Sequence, residues 1–134
     1  MRFLAMTLPI LGLAALGALA LPQPAPAAPP APTSAARGKV VFLRCAACHA
    51  VSATAPAKVG PHLQGVAGRA SGSVPRFTYS PAMRRVALRW DDATLDRWLT
   101  RPAAVVPGTS MVFAGLANAN DRAAVIAYLK KPVP

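Results

Sequence analysis

The chain has 134 residues, with fifteen Lys and Arg against four acids, all of them Asp, for a formal net charge of +11. A chain this short holds one domain, which excludes a multi-domain enzyme or a barrel of eight β/α units. Two cysteines and two histidines are the whole soft-ligand inventory, which leaves little for a zinc module that needs four ligands.

The 54% hydrophobic content is concentrated at the front, where no residue from Phe3 to Ala36 is charged. Arg2 followed by the Leu- and Ala-rich stretch Phe3 to Leu21 has the form of an export signal, and Ala18-Leu19-Ala20 fits a signal peptidase site. Residues 1–20 therefore read as a signal peptide or, if uncleaved, as an N-terminal membrane anchor, since about 18 apolar residues can span a bilayer. In both cases the rest of the chain lies outside the membrane that Arg2 faces from within. Residues 21–36 form a Pro/Ala-rich linker. Its six prolines and absence of charge favour an extended polyproline II tether over a core.

Residues 37–134 are the domain, with fourteen bases against four acids. Thr33 or Ser34 can cap a first helix running to about Cys45, in which Gly38 and Phe42 share a face and Gly38 marks a close helix contact. Residues 50–79 show no sustained period and read as loop. Ser80-Pro81 opens a short helix. Asp91 or Asp92 opens another, with Leu95, Trp98 and Leu99 on one face and Pro102 beyond its end. The last helix starts near Asn120 or Asp121 and runs to Lys130, with Val125, Tyr128 and Leu129 facing inward. No alternating strand pattern occurs, so the class is all-α with long loops. About thirty residues of loop in so small a domain call for something besides side chains to fill the core.

Cys45-Ala46-Ala47-Cys48-His49 offers that filler. Two thiols one helical turn apart can each add to a vinyl group of one haem, and the adjacent histidine can reach the iron. A dithiol redox pair would need a βαβ context that is absent, a Cys45–Cys48 disulfide would close too short a loop to stabilise much, and a zinc site lacks ligands. The candidates for a second axial ligand are His62, Met83 and Met111. Met111 sits in the turn-rich Pro107-Gly108-Thr109-Ser110-Met111 loop, whereas Met83 reads as pocket lining and His62 follows His49 too closely.

CAACH at 45–49, VGPHLQGVAGR at 59–69, FTYS at 77–80, Trp90, PGTSMVFAG at 107–115 and the terminal AVIAYLKK together resemble the class I c-type cytochromes, of the mitochondrial cytochrome c and bacterial cytochrome c2 type. The resemblance spans about residues 37–131. It implies the cytochrome c fold, in which three main helices, short helices and long loops wrap one haem c attached through Cys45 and Cys48. It further implies iron ligation by His49 and Met111, with the His49 ring held by the Pro61 carbonyl. Arg69, Tyr79 and Trp90 match positions that bond haem propionates, and Thr109 a further hydrogen-bonding position on the Met loop. Trp98 and Met83 depart from the family's usual tyrosine and asparagine and imply a less polar pocket with a shifted reduction potential. Ala103, Ala104 and Ser110 stand at or near usual lysine sites of the docking ring.

The implied function is one-electron transfer between respiratory or other periplasmic redox proteins, with no enzymatic activity because both axial positions are filled. The alternative is a dedicated haem c subunit of one periplasmic dehydrogenase or oxidase. The expected partners are redox proteins with acidic docking surfaces, drawn by the basic charge. Nucleic acid is not expected of an exported protein without a clustered basic helix. The expected state is a monomer in the bacterial periplasm, held to the inner membrane only if residues 1–21 are retained.

Overall fold

A computed structural model describes residues 34–132; the export segment and residues 21–33 of the expected linker lie outside the described residues. The elements are α1 (Ser34–Ala46), α2 (Pro81–Arg85), α3 (Asp92–Thr100), α4 (Pro102–Val105) and α5 (Ala119–Lys130). Among the described residues no helix is long and apolar enough to cross a membrane. The three longer helices α1, α3 and α5 and the short α2 are the ones read from the sequence. Their starts follow local chemistry: Ser80 Oγ accepts from the Met83 amide, Asp91 Oδ1 from the Thr94 amide at 2.7 Å, and Asn118 Oδ1 from the Asn120 amide. The Thr94 N–H, more than any other group, holds the Asp91 carboxyl below its ordinary pKa.

Helix α4 has no counterpart in the sequence reading. Pro102 was expected to end the preceding helix, and it does lie beyond α3, but it also occupies the first turn of this four-residue helix. Four residues carry no period, and proline suits a first helical position because its missing N–H would be unpaired there. One isolated antiparallel bridge, Ala70 to Arg89, ties the long loop to the segment before α3, and the class is all-α.

The first and last helices cross at Gly38. A Cβ there would lie 2.1 Å from the Ala124 carbonyl oxygen and 2.7 Å from the Tyr128 Cβ, so only hydrogen permits the approach. Phe42 and Tyr128 rings then meet with centroids 5.4 Å apart. Arg37 closes the crossing by pairing with Asp121 at 2.6 Å. Of the apolar residues on α1, Val41 and Phe42 are buried while Val40 and Leu43 face solvent. Helix α5 buries Ala124 and Ile126 as well as the expected Val125, Tyr128 and Leu129, because α1 and α3 both pack against it.

Replacing Gly38 by Ala should lower stability by about 2 kcal/mol, because overpacking at a backbone contact outweighs the roughly 1 kcal/mol gained in helix propensity. Urea unfolding of the holo-protein checks this, with a lower midpoint and an unchanged slope expected.

Candidate functional site

The loops and helices do not close on themselves. They enclose a cavity of about 470 Å³, lined on one side by Cys45, Cys48, His49, Gly60, Pro61 and Leu63 and on another by Thr109, Ser110, Met111, Val112 and Phe113. Trp90, Leu95, Trp98, Leu99, Val125 and Leu129 complete an apolar wall, and Arg69, Tyr79, Ser80 and Met83 contribute from the long loop and α2. Nearly all the residues singled out in the sequence therefore converge on one space. His62 is the exception: it does not line the cavity, and its Nδ1 is buried without a partner.

Helix α1 ends at the cavity, and its last turn is extended by hydrogen bonds that the Cys48 and His49 amides donate to the Cys45 carbonyl at 3.0 and 2.9 Å. No disulfide joins Cys45 and Cys48. Burial pushes the Cys45 thiol above its ordinary pKa, against a smaller opposing pull from Arg44. Among the described residues no group of three or more His, Cys, Asp or Glu side chains could hold a metal ion, so the zinc reading loses ground.

His49 is the most tightly constrained side chain of the site. Its Nδ1 lies 2.8 Å from the Pro61 carbonyl oxygen. A carbonyl only accepts, so Nδ1 carries the proton and the neutral ring keeps its lone pair on Nε2. Gly60 forms the other side of the seat: a Cβ there would fall 2.3 Å from the His49 Cε1. The sequence reading gave Gly60 no role, although its place directly before Pro61 in VGPHLQG is the signal that could have found it. The Gly60 amide in turn donates to the Cys48 carbonyl at 2.8 Å, clamping the loop to the CAACH segment.

On the other loop, the Met111 amide donates to Thr109 Oγ1 at 3.3 Å, which leaves the Thr109 hydroxyl proton free. Tyr79 accepts from the Val74 amide at 3.2 Å and likewise keeps its own proton to donate. Arg69 donates to the Gln64 and His62 carbonyls at 2.7 and 3.2 Å, while its Nε is buried with no partner. Burial works against the Arg69 charge, offset in part by Tyr79. Trp90 and Trp98 meet with ring centroids 5.2 Å apart, and Met83 is buried beside the same space.

A mostly apolar cavity with two cysteines at its edge, an imidazole lone pair and an unmatched cationic donor is the outline of a large flat anionic cofactor. The comparisons with known proteins identify it. The sequence model described as Cytochrome c matches residues 35–131. The chain belongs to the cytochrome c family. Cytochrome c2 of Rhodomicrobium vannielii is 54% identical over 93 residues, covering 69% of this chain and 74% of the relative. Cytochrome c2 of Rhodoblastus acidophilus is 47% identical over 94 residues, covering 70% and 88%. The solved structure of cytochrome cH from Methylobacterium extorquens superposes with a TM-score of 0.67 at 40% identity, covering 72% of this chain and 96% of that one.

As a class I c-type cytochrome this protein carries one covalently attached haem c and serves as an electron carrier, not an enzyme. The cavity fits that group on its own evidence. The orphaned Arg69 Nε is a buried donor that needs an anionic acceptor, and the apolar wall suits a macrocycle.

Gly60→Ala should drive a methyl into the imidazole and break the Nδ1 bond to Pro61, lowering the stability of the holo-protein by about 2 kcal/mol or more. Urea unfolding followed at the haem absorption measures the loss.

Proposed function

We propose that this cytochrome c is an exported, monomeric shuttle whose iron is ligated by His49 and Met111. The observation that carries the reading is the seat of His49: Nδ1 is spent on Pro61, so Nε2 is the nitrogen offered to a metal, in a cavity that Met111 also lines. Such a hydrogen bond fixes the tautomer and raises the basicity of a ligating imidazole. The paired thioether and imidazole donors favour the reduced state of the iron.

Bound haem c supplies one-electron exchange at its iron. The work of the chain is burial, orientation and docking. Cys45 and Cys48 tether the cofactor, and their place at the end of α1 fixes its position relative to His49. Leu95, Leu99, Val125 and Leu129 exclude water, so little solvent must rearrange when the charge changes. Arg69 and the free protons of Tyr79 and Thr109 are the donors for propionate oxygens, with the Trp90 indole as a further donor. Trp98 and Met83 put an aromatic ring and a thioether where the family's tyrosine and asparagine bring polar atoms.

The uncharged segment behind Arg2 supports export to the bacterial periplasm, where donor and acceptor would be redox proteins with carboxylate-bearing docking surfaces.

Met111→Ala is the direct test of the ligand pair. The oxidised variant should lose the weak long-wavelength band of a sulfur–Fe(III) bond. Its reduction potential should fall on the order of 0.1 V, within the ~0.8 V span that axial ligands control. Absorption spectra and voltammetry read both; retention of the band would assign the ligand elsewhere, with Met83→Ala as the matching control.

A further inference from the structure

Helix α1 has an outer face that nothing among the described residues covers. Val40 and Leu43 stand three residues apart on it, 66% and 68% exposed, and the exposed Ala47 follows four residues later. That spacing puts all three on one line, opposite the face on which Gly38, Val41 and Phe42 are buried toward α5. The line runs between Lys39 and Arg44, both exposed. Arg37 is taken by Asp121, whereas Lys39 and Arg44 form no ion pair among the described residues.

Single exposed aliphatics are ordinary, but a line of them along one helix calls for a cover. A second copy of the chain is a poor one, because a stable pair buries about 800 Å² on each partner and two aliphatic side chains provide a small part of that. A cover already joined to the helix needs far less contact energy, since linkage through a short segment holds it at millimolar effective concentration. The chain directly before α1 has the matching chemistry. Residues 21–33 are uncharged and hold six prolines, with Pro26 and Pro29 three apart. Three residues make one turn of a polyproline II helix, so these two rings share an edge, and the carbonyls of such a helix have no internal partners. Proline has no N–H, which leaves the segment rich in acceptors and poor in donors. Lys39 and Arg44 supply donors on the two sides of the line. The lengths agree as well. From Val40 to Ala47 the line is about 10 Å long at 1.5 Å per residue, and Pro26 to Pro29 spans about 9 Å at 3.1 Å per residue. The helix rises about 9 Å from Ser34 to Val40. Five steps of chain from Ser34 back to Pro29 reach at most about 17 Å, enough to reverse direction and draw level with Val40.

We propose that residues 24–30 fold back as a polyproline II segment along the outer face of α1. Pro26 and Pro29 lie on Val40, Leu43 and Ala47, and Lys39 and Arg44 donate to the carbonyls of the segment. The chain before residue 24 then leaves at the end of α1 that carries Cys45, not at the Ser34 end. Where residues 1–20 stay attached to a membrane, this turns the mouth of the cavity toward it. The contact is independent of which groups ligate the iron and of the electron-carrier reading.

The test is solution NMR of the exported holo-protein in its reduced, diamagnetic state. Nuclear Overhauser contacts should join the Val40 and Leu43 methyls to the ring protons of Pro26 and Pro29. Order parameters of the Ala27 and Ala28 amides should be about 0.8, the value of ordered backbone, where a flexible segment gives less than about 0.6. V40K/L43K should abolish the contacts and bring both order parameters below about 0.6. P26G/P29G, which leaves the helix unaltered, should release the segment in the same way. V59K, at an exposed valine on another loop, should change neither reading. The proposal is overturned if the parent shows no such contacts, if either double variant keeps the segment ordered, or if V59K frees it equally. It is also overturned if intact mass shows that export removes Pro26. The same holds if the Val40 and Leu43 signals move with protein concentration, as a second copy would make them, or move only when phosphatidylglycerol vesicles are added.

Discussion

Everything at the site depends on one hydrogen bond, from the His49 imidazole to the Pro61 carbonyl. Proline leaves that carbonyl on a stiff segment, since its ring fixes φ. The Gly60 amide binds the same segment back to Cys48, one residue before the histidine. The acceptor and the ring it orients are thus held in one small loop, and the absent Cβ of Gly60 lets that loop close against the ring. A histidine on a loose loop would sample both tautomers and several rotamers. Here the Pro61 carbonyl accepts from Nδ1, which makes Nε2 the free nitrogen.

The helices answer a different demand, which is to surround a space without filling it. The α1–α5 crossing is packed to the limit at Gly38, and the Arg37–Asp121 pair sits over it. Helix α3 is joined to α5 and the turn before it by the Asp96–Arg122 pair at 2.7 Å and by Arg122 bonds to the Leu116 and Ala117 carbonyls. Lys130 pairs with Asp92 at the other end of the same two helices. With Asp91 capping α3, all four acids of the chain are spent on holding the helical frame. None is left to offset the cations of the loops. The surplus of positive charge is in this sense a by-product of how few acids there are and where they are needed.

Much of this was legible in the residues. Capping signals located α2 and α3, because Ser80 and Asp91 act on amides immediately beside them, whereas α5 was expected from Asn120 or Asp121 and begins at Ala119 behind an Asn118 cap. Gly38 was legible because a helix tolerates glycine only for a reason. CAACH was legible because its chemistry is local. Helix α4 was not, since four residues after a proline carry no periodic signal. The seat supplied by Gly60 was not, because its value depends on a ring eleven residues earlier in the chain. The rejection of His62 was argued from chain length, while the structure gives a more physical ground: the residue does not line the cavity that Met83 and Met111 share. The fate of residues 1–20 is a matter of processing chemistry, on which packing has no bearing.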